Sequence, residues 1–277
     1  AMDRDGVDLS VCYPNRGFSL LATNDGEFQL AIARVYNEWV LETDLAQMSD
    51  RFMVTAMLPP KDVVRARAEL ERVAKTGRFK GLFMPSWIEG QPYAGSNVYD
   101  PLWATIQETG LPILFHAGVG IDPRTARGDG GAIINYVRAL TICAEPVLQL
   151  CASGILERFP RLKFAVIESQ MSWLPGILHT MDEGFHKHHM WVRPKLPMLP
   201  SDYFRRQGHV MWMDDEPGLR MRDYIGLDNV IWGDDYPHHE GTWPDSAQVF
   251  DRSLAGMDDA EKEKLLWGNA ARLFGVD

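Results

Sequence analysis

The stretch Asn229-Val230-Ile231-Trp232-Gly233-Asp234-Asp235-Tyr236-Pro237-His238-His239-Glu240-Gly241-Thr242-Trp243-Pro244 turns within a few residues from an apolar run into acids, histidines and aromatics. A buried strand that breaks into a glycine and two carboxylates puts ionisable groups at its C-terminal end, the face from which α/β barrels work. A carboxylate placed there can bind a metal, hold an attacking water or take its proton. Asp235 is the sharper candidate and Asp234 the fallback, because one acid of such a pair commonly caps the next loop. Two more strand ends carry chemistry. Pro112-Ile113-Leu114-Phe115-His116 is an apolar run closing on a histidine. Neutral imidazole is a common ligand of divalent transition metals; the other reading is a core histidine bonded to backbone. Phe164-Ala165-Val166-Ile167-Glu168 ends on a carboxylate that is costly to bury without a cation, a donor or a task. Such an acid can have its pKa raised into the range useful for proton transfer, or can pair with an arginine such as Arg138.

Other polar clusters read differently. His179, His186, His188 and His189 lie along and at the end of a helical pattern beside Lys187, where cations suit the helix dipole, so a solvated helix end is expected rather than a metal cluster. Asp214, Asp215 and Glu216 also follow a strand. Pro217 after them favours the start of a helix over a place in the site. Trp87, Trp173, Tyr236 and Trp243, near strand ends, are candidates for the apolar walls of a substrate pocket, with His238 beside Tyr236 as a further substrate contact. Arg16 and Arg124, on loops after strands, are candidate clamps for a substrate carboxylate, since guanidinium pairs bidentately with that group.

These residues need a scaffold, and short apolar strands alternate with longer amphipathic stretches throughout, the pattern of repeated βα units and a parallel sheet. Strands are expected at Val7 to Tyr13, Phe52 to Leu58, Phe79 to Met84, Pro112 to His116, Leu162 to Glu168, His209 to Met213 and Asn229 to Gly233. Helical periodicity covers Phe28 to Gln47, Lys61 to Thr76, Asp100 to Thr109, Ile133 to Arg158, Trp173 to His186 and Asp258 to Phe274. Pro146 should divide the long fourth segment. Asp258 reads as an N-cap and Gly275 as a C-cap. Seven strands are one short of a closed (β/α)8 barrel. The opening Met-Asp-Arg-Asp-Gly-Val-Asp runs straight from a polar helix end into a strand, so a first strand is expected to be missing from this sequence.

A single domain over residues 1–277 is expected, because an α/β barrel of about 250 residues is a known solution at this length. With 45% hydrophobic and 24% charged residues the chain can bury a sizeable core. A net charge of −10 argues against nucleic acid or an anionic membrane as partner and for a small molecule. Cys12, Cys143 and Cys151 lack CxxC spacing and read as buried thiols, which fits a cytoplasmic protein. No apolar run long enough to span a bilayer is expected.

The strand ending in His-Ala-Gly, the strand after Phe159-Pro160-Arg161-Leu162-Lys163, the Trp-Gly-x-Asp-Tyr-Pro-His strand end and the closing Asn269-Ala270-Ala271-Arg272-Leu273-Phe274-Gly275 occur in that order. Together they resemble the amidohydrolase-related family that includes enzymes of the aminocarboxymuconate-semialdehyde decarboxylase type. The resemblance covers nearly the whole chain. It implies a distorted TIM barrel of the metal-dependent hydrolase type, with one divalent metal, often zinc. The family's ligands are a His-x-His or His-x-x-Glu element on the first strand, a His on the fifth and an Asp on the eighth. Carried over, the fifth-strand ligand is His116 and the eighth-strand ligand Asp235. Decarboxylases of the family carry a catalytic His in a His-Gly sequence at the end of strand six, whereas Glu168-Ser169 stands there in this chain. Glu168 is expected to act as general base, to return a proton to carbon, or to bind the metal itself. The first-strand element has no counterpart, and His116 with Asp235 supplies two ligands where catalytic zinc usually has three. Metal is therefore expected to bind weakly or to be absent.

The leading expectation is a metal-dependent lyase or hydrolase of a small carboxylated, cyclic or unsaturated substrate, with Glu168 and Asp235 as its catalytic acids. Its rival is a metal-free barrel that serves as a binding or scaffold protein. Homo-oligomerisation is expected on the ground that an incomplete barrel exposes an apolar seam.

Overall fold

The computed structural model describes residues 1–15, 17, 21, 23–43, 49–118, 125–188 and 190–276. Each expected strand is found, and the strands among the described residues are β1 (Ser10–Cys12), β2 (Phe52–Met57), β3 (Phe79–Met84), β4 (Ile113–His116), β5 (Phe164–Ile167), β6 (Gly208–Trp212) and β7 (Val230–Trp232). They form one all-parallel sheet in sequence order. The helices are α1 (Met2–Asp5), α2 (Gly26–Glu42), α3 (Val63–Ala74), α4 (Asp100–Thr109), α5 (Gly131–Thr141), α6 (Ala144–Ala152), α7 (Ile155–Arg158), α8 (Leu174–Lys187), α9 (Pro200–Gln207), α10 (Glu216–Arg220), α11 (Arg222–Ile225), α12 (Ser246–Ser253), α13 (Asp259–Glu263) and α14 (Asn269–Phe274). A π-helical turn, Lys264–Gly268, links the last two.

Period-two alternation sorts the strand residues into two layers. Ile113, Phe115, Phe164, Val166, Val210, Trp212 and Val230 face outward into the large core shared with the helices. Leu114, Ala165, Ile167, Met211 and Ile231 face inward, where α14 sets Leu273 and Phe274 among them. Small residues make room for large ones: a Cβ on Gly233 would meet the Met211 sulfur at 2.5 Å, and one on Gly81 would meet Leu114 at 2.6 Å. β1 and β7, the two edges of the sheet, are not paired with each other. Between them lies a cavity of about 380 Å³ walled by residues of β1, β7 and α14, and His116, Glu168 and Asp235 lie on its boundary.

Carboxamides pin the lower, N-terminal ends of the strands. Asn229 donates to the carbonyls of Arg205 (2.9 Å) and Gly208 (2.6 Å), Asn269 to those of Leu227 (2.8 Å) and Val230 (2.7 Å), and Gln207 to those of Phe159 and Leu162. These bonds tie backbone carbonyls at the strand starts to the side chains packed beneath them.

The expected helix signals hold. Asp258 caps α13 through a full capping box, and Gly275, with φ 62°, ends α14. The long segment around Pro146 is indeed divided, into α5 and α6 with the break at Ile142 and Cys143. One expectation is corrected here: Gly131–Ala152, spanning α5 and α6, is long and apolar enough by length and composition to cross a membrane. Arg138 and Glu145 interrupt its apolar run, which hid it from the sequence, while in the fold α6 buries Pro146, Val147, Leu150 and Cys151 in the core. All three cysteines are free.

Candidate active site

His116, Glu168, Asp235, Tyr236 and His238 converge at the C-terminal ends of β4, β5 and β7. His116 points inward by alternation after Leu114 and is 4% exposed. Its Nδ1 lies 2.8 Å from the Ala117 carbonyl, which can only accept, so Nδ1 carries a proton and Nε2 is left to face the site. The Tyr13 and Phe83 rings pack against the imidazole at 5.5 and 5.8 Å.

Glu168 follows the inward-facing Ile167, so alternation would aim it at the helices. A left-handed backbone (φ 54°) instead re-aims it, bringing Oε2 to 2.9 Å from His116 Nε2. Asp235 has the same φ of 54°. Non-glycine residues held in this region cost roughly 1–3 kcal/mol each and cluster at functional sites. Among the described residues, Glu168 pairs with His116 and, at 3.9 Å, with His238, and not with Arg138. Asp235 Oδ1 lies 2.8 Å from His238 Nδ1.

The two acids after β7 divide their work. Asp234 closes the turn: its side chain accepts from the Tyr236 amide and its carbonyl from Thr242 N. Asp235 turns into the site.

Burial and the neighbouring charge of Glu168 push the Asp235 carboxyl up to about 7, against the pull of His238. Burial works in the same direction on Glu168, yet the hydrogen bond and charge of His116, with the charge of His238, hold it below the usual range. Burial alone would lower His238, but the two acids raise it. The cluster therefore holds protons that a cation would displace.

Two observations test whether a cation fits. Among the described residues Asp235 Oδ2 is buried without a hydrogen-bond partner, an expensive state for a carboxylate oxygen. Ligand atoms of Glu168, Asp235, His238 and Glu240 also lie within 4.8 Å of one another. The donors are imidazole nitrogen and carboxylate oxygen, which suit a divalent metal.

Glu240 was not singled out from the sequence, although it stands five residues after Asp235 in the same loop. Tyr13 was also missed, and the strand-end rule applied to β1 would have found it. A third omission is Tyr136 on α5: burial raises its hydroxyl, and the charges of Glu240, Glu168 and Asp235 add to that. Nothing in the sequence marked it, because the apolar side of α5 reads as core, whereas the fold leaves Ile133, Tyr136 and Val137 exposed.

Tyr236 lines the cavity, half exposed, with its ring 5.2 Å from Trp243. Trp87 and Trp173 are not among the residues lining it. The Trp173 indole donates to the carbonyls of Ser169 (2.9 Å) and Gln170 (3.1 Å), bracing the backbone just after Glu168. Asp215 caps α10 and also accepts from the amides of Met171 and Ser172, tying the loops after β5 and β6 together. His179, His186 and His188 lie exposed along and after α8. Arg16, Arg124 and His189 lie outside the described residues.

Gly241 allows the β7 loop to close on itself. A Cβ there would collide with the Asp234 carbonyl and lie 3.0 Å from that of Asp235. Gly241→Ala should weaken divalent-metal affinity by roughly 10–100-fold, as loss of a group that orients a ligand does. Calorimetric titration with Mn2+ measures this, and an unchanged affinity would show that the loop tolerates the shift.

Comparison with known proteins identifies the class. The amidohydrolase family model matches residues 13–276, and the chain belongs to that family and is an enzyme of the amidohydrolase type. Gamma-resorcylate decarboxylase of Polaromonas sp. is 25% identical over the whole of this chain and 86% of its own length. The crystal structure of 5-carboxyvanillate decarboxylase from Sphingomonas paucimobilis matches with a TM-score of 0.81 and 27% identity, covering 100% of this chain and 81% of that one. A dihydroxybenzoic acid decarboxylase from Polaromonas sp., solved with bound manganese and the inhibitor 2-nitroresorcinol, shares the fold with a TM-score of 0.75 and 23% identity, covering 99% and 83%.

Proposed function

We propose that the protein is a metal-dependent carboxy-lyase that removes CO2 from a small hydroxylated aromatic acid. The observation that carries this reading is the joining of His116, Glu168 and Asp235 at three strand ends beside a cavity of about 380 Å³. The decarboxylases it resembles act, by their names, on substituted benzoates. His116 and Asp235 would hold the metal, and Glu168, His238 and Glu240 offer further ligand atoms grouped with those of Asp235. Carboxylate-rich donors favour manganese over the zinc expected from the sequence, and metal content by plasma mass spectrometry decides between them. When bound, the metal would polarise oxygens of the substrate.

The remaining steps belong to the protein. The electrons of the breaking C–C bond stay on the ring carbon, which must gain a proton as CO2 leaves. Glu168, ionised at rest and hydrogen-bonded to His116, receives a proton relayed from solvent and delivers it to that carbon. His238 holds Asp235 by Oδ1 and, with Tyr236 and Tyr136, faces the substrate ring. A cytoplasmic location is part of the same proposal and agrees with three free thiols. The test is incubation of manganese-loaded protein with 2,6-dihydroxybenzoate and 5-carboxyvanillate, measuring CO2. Release of CO2 supports the lyase. Acid production from aromatic esters or lactones without CO2 release would make the protein a hydrolase instead.

Metal uptake should also depend on pH. The Asp235 carboxyl, raised to about 7, carries a proton at acid pH that the metal must displace. Apparent affinity should thus rise by up to about tenfold per pH unit up to about 7 and flatten above. Calorimetry in buffers of different ionisation enthalpy reads the proton released, and a pH-independent affinity would count against Asp235 as ligand.

A further inference from the structure

The loop Gly233–Thr242, which carries Asp235, His238 and Glu240, is tethered from outside by two adjacent residues at the start of the chain. Asp5, at the end of α1, is 7% exposed, and no cation pairs with it among the described residues. Its carboxylate accepts from the amide (3.2 Å) and hydroxyl (2.5 Å) of Ser246. These bonds cap α12, whose own N-cap residue, Asp245, makes no side-chain cap bond. Because the Ser246 hydroxyl donates to Asp5, it accepts from Thr242 Oγ1, 2.7 Å away. Thr242 N in turn donates to the Asp234 carbonyl at 3.0 Å, next to Asp235. A chain of hydrogen bonds thus runs from the buried Asp5 to the backbone of the candidate ligand.

Arg4 makes the second tether on the surface. Its guanidinium lies over the Trp243 ring, 5.6 Å from the centroid, and Trp243 packs edge-on against Tyr236. Two consecutive residues therefore engage the loop, one through its buried polar side and one through its aromatic side. A buried carboxylate spanning 241 positions is a costly device for holding an ordinary surface loop.

We infer that Arg4 and Asp5 form a clasp that positions the Gly233–Thr242 loop, and with it Asp235, for metal binding. They are positioning residues that touch neither substrate nor metal. The inference rests on the metal site proposed above. It is tested on the full chain with Asp5→Ala, Ser246→Ala, Ser246→Thr and Arg4→Ala, and with Asn229→Ala as a destabilised control at the opposite end of the barrel. Three quantities are measured for each: melting temperature, Mn2+ affinity by calorimetry, and amide hydrogen exchange of His238, Gly241 and Thr242 without metal.

Asp5→Ala and Ser246→Ala should speed exchange at those three amides and weaken Mn2+ binding by about tenfold, the low end for loss of an outer-shell partner. Ser246→Thr, which keeps the hydroxyl, should restore both, and Arg4→Ala should give a smaller effect in the same direction. Asn229→Ala should lower the melting temperature while leaving affinity and loop exchange unchanged. The clasp is refuted if Asp5→Ala leaves loop exchange at the wild-type rate, or if Asn229→Ala weakens affinity and speeds exchange as much as Asp5→Ala does. Wild-type protein that binds no Mn2+ sinks the metal reading alone, and loop exchange then still decides the clasp.

Discussion

Asp235→Asn is expected to remove more activity than any other single substitution, beyond the roughly 10–100-fold typical of losing an outer-shell partner of a metal ligand. The side chain keeps its volume, so the loop it stands on should survive. What changes is charge. Asp235 Oδ2 is a buried carboxylate oxygen with no hydrogen-bond partner among the described residues, and an amide there would present either a weaker donor atom to the cation or an N–H group pointed at it. The variant should fold, bind Mn2+ weakly, and show its loss in kcat/KM. Removing the negative charge also removes the repulsion between Asp235 and Glu168 in the metal-free protein, so the metal-free variant should melt no lower than wild type above pH 7. The sign follows from the shift. A carboxyl whose pKa is raised in the folded state keeps a proton that the unfolded chain has released, so ionising it costs folded stability as pH rises from the ordinary carboxylate range to about 7. Wild-type Mn2+ affinity in Asp235→Asn would overturn its place as ligand.

Glu168→Gln is expected to lower kcat by about 10²–10⁴, the usual contribution of a positioned proton donor or acceptor. Gln keeps a hydrogen bond to His116 Nε2 within reach but cannot deliver a proton to carbon. The informative comparison is between rate and metal affinity. If Glu168 carries the proton, kcat falls while Mn2+ affinity stays within a few-fold of wild type. If affinity falls in step with kcat, Glu168 is a ligand, the other role its chemistry allows. A solvent isotope effect that disappears in the variant would support the first outcome, because proton delivery to the ring would no longer pass through this group.

Local pattern was enough to specify the scaffold and to single out the strand ends that carry ionisable residues. Seven short apolar runs separated by amphipathic helices are a period-two and period-3.6 signal that local propensity and burial enforce together, so all seven strands and their parallel arrangement were legible. His116, Glu168 and Asp235 were legible for a related reason: an ionisable residue closing a buried strand is costly without a partner or a function. Other features were not local. Alternation would have turned Glu168 outward, and only the left-handed backbone at that residue brings it to His116. Asp235 was already the sharper of the two acids, but what turns it into the site is its left-handed backbone and the tight closure of the loop at Gly241, a contact between backbone segments that no periodicity encodes. Trp173, expected in a pocket wall, braces the Glu168 turn instead, because its indole N–H finds two backbone carbonyls there. Tyr136 feels the charge of the acids from α5, a helix whose apolar face looked like core. The Asp5 tether joins residues 241 positions apart, so it exists only because the sheet curls round until α1 meets the loop after β7. Local sequence specifies elements and the direction of their side chains, but the pairings that set charge, strain and position in this site are long-range, and only the folded chain creates them.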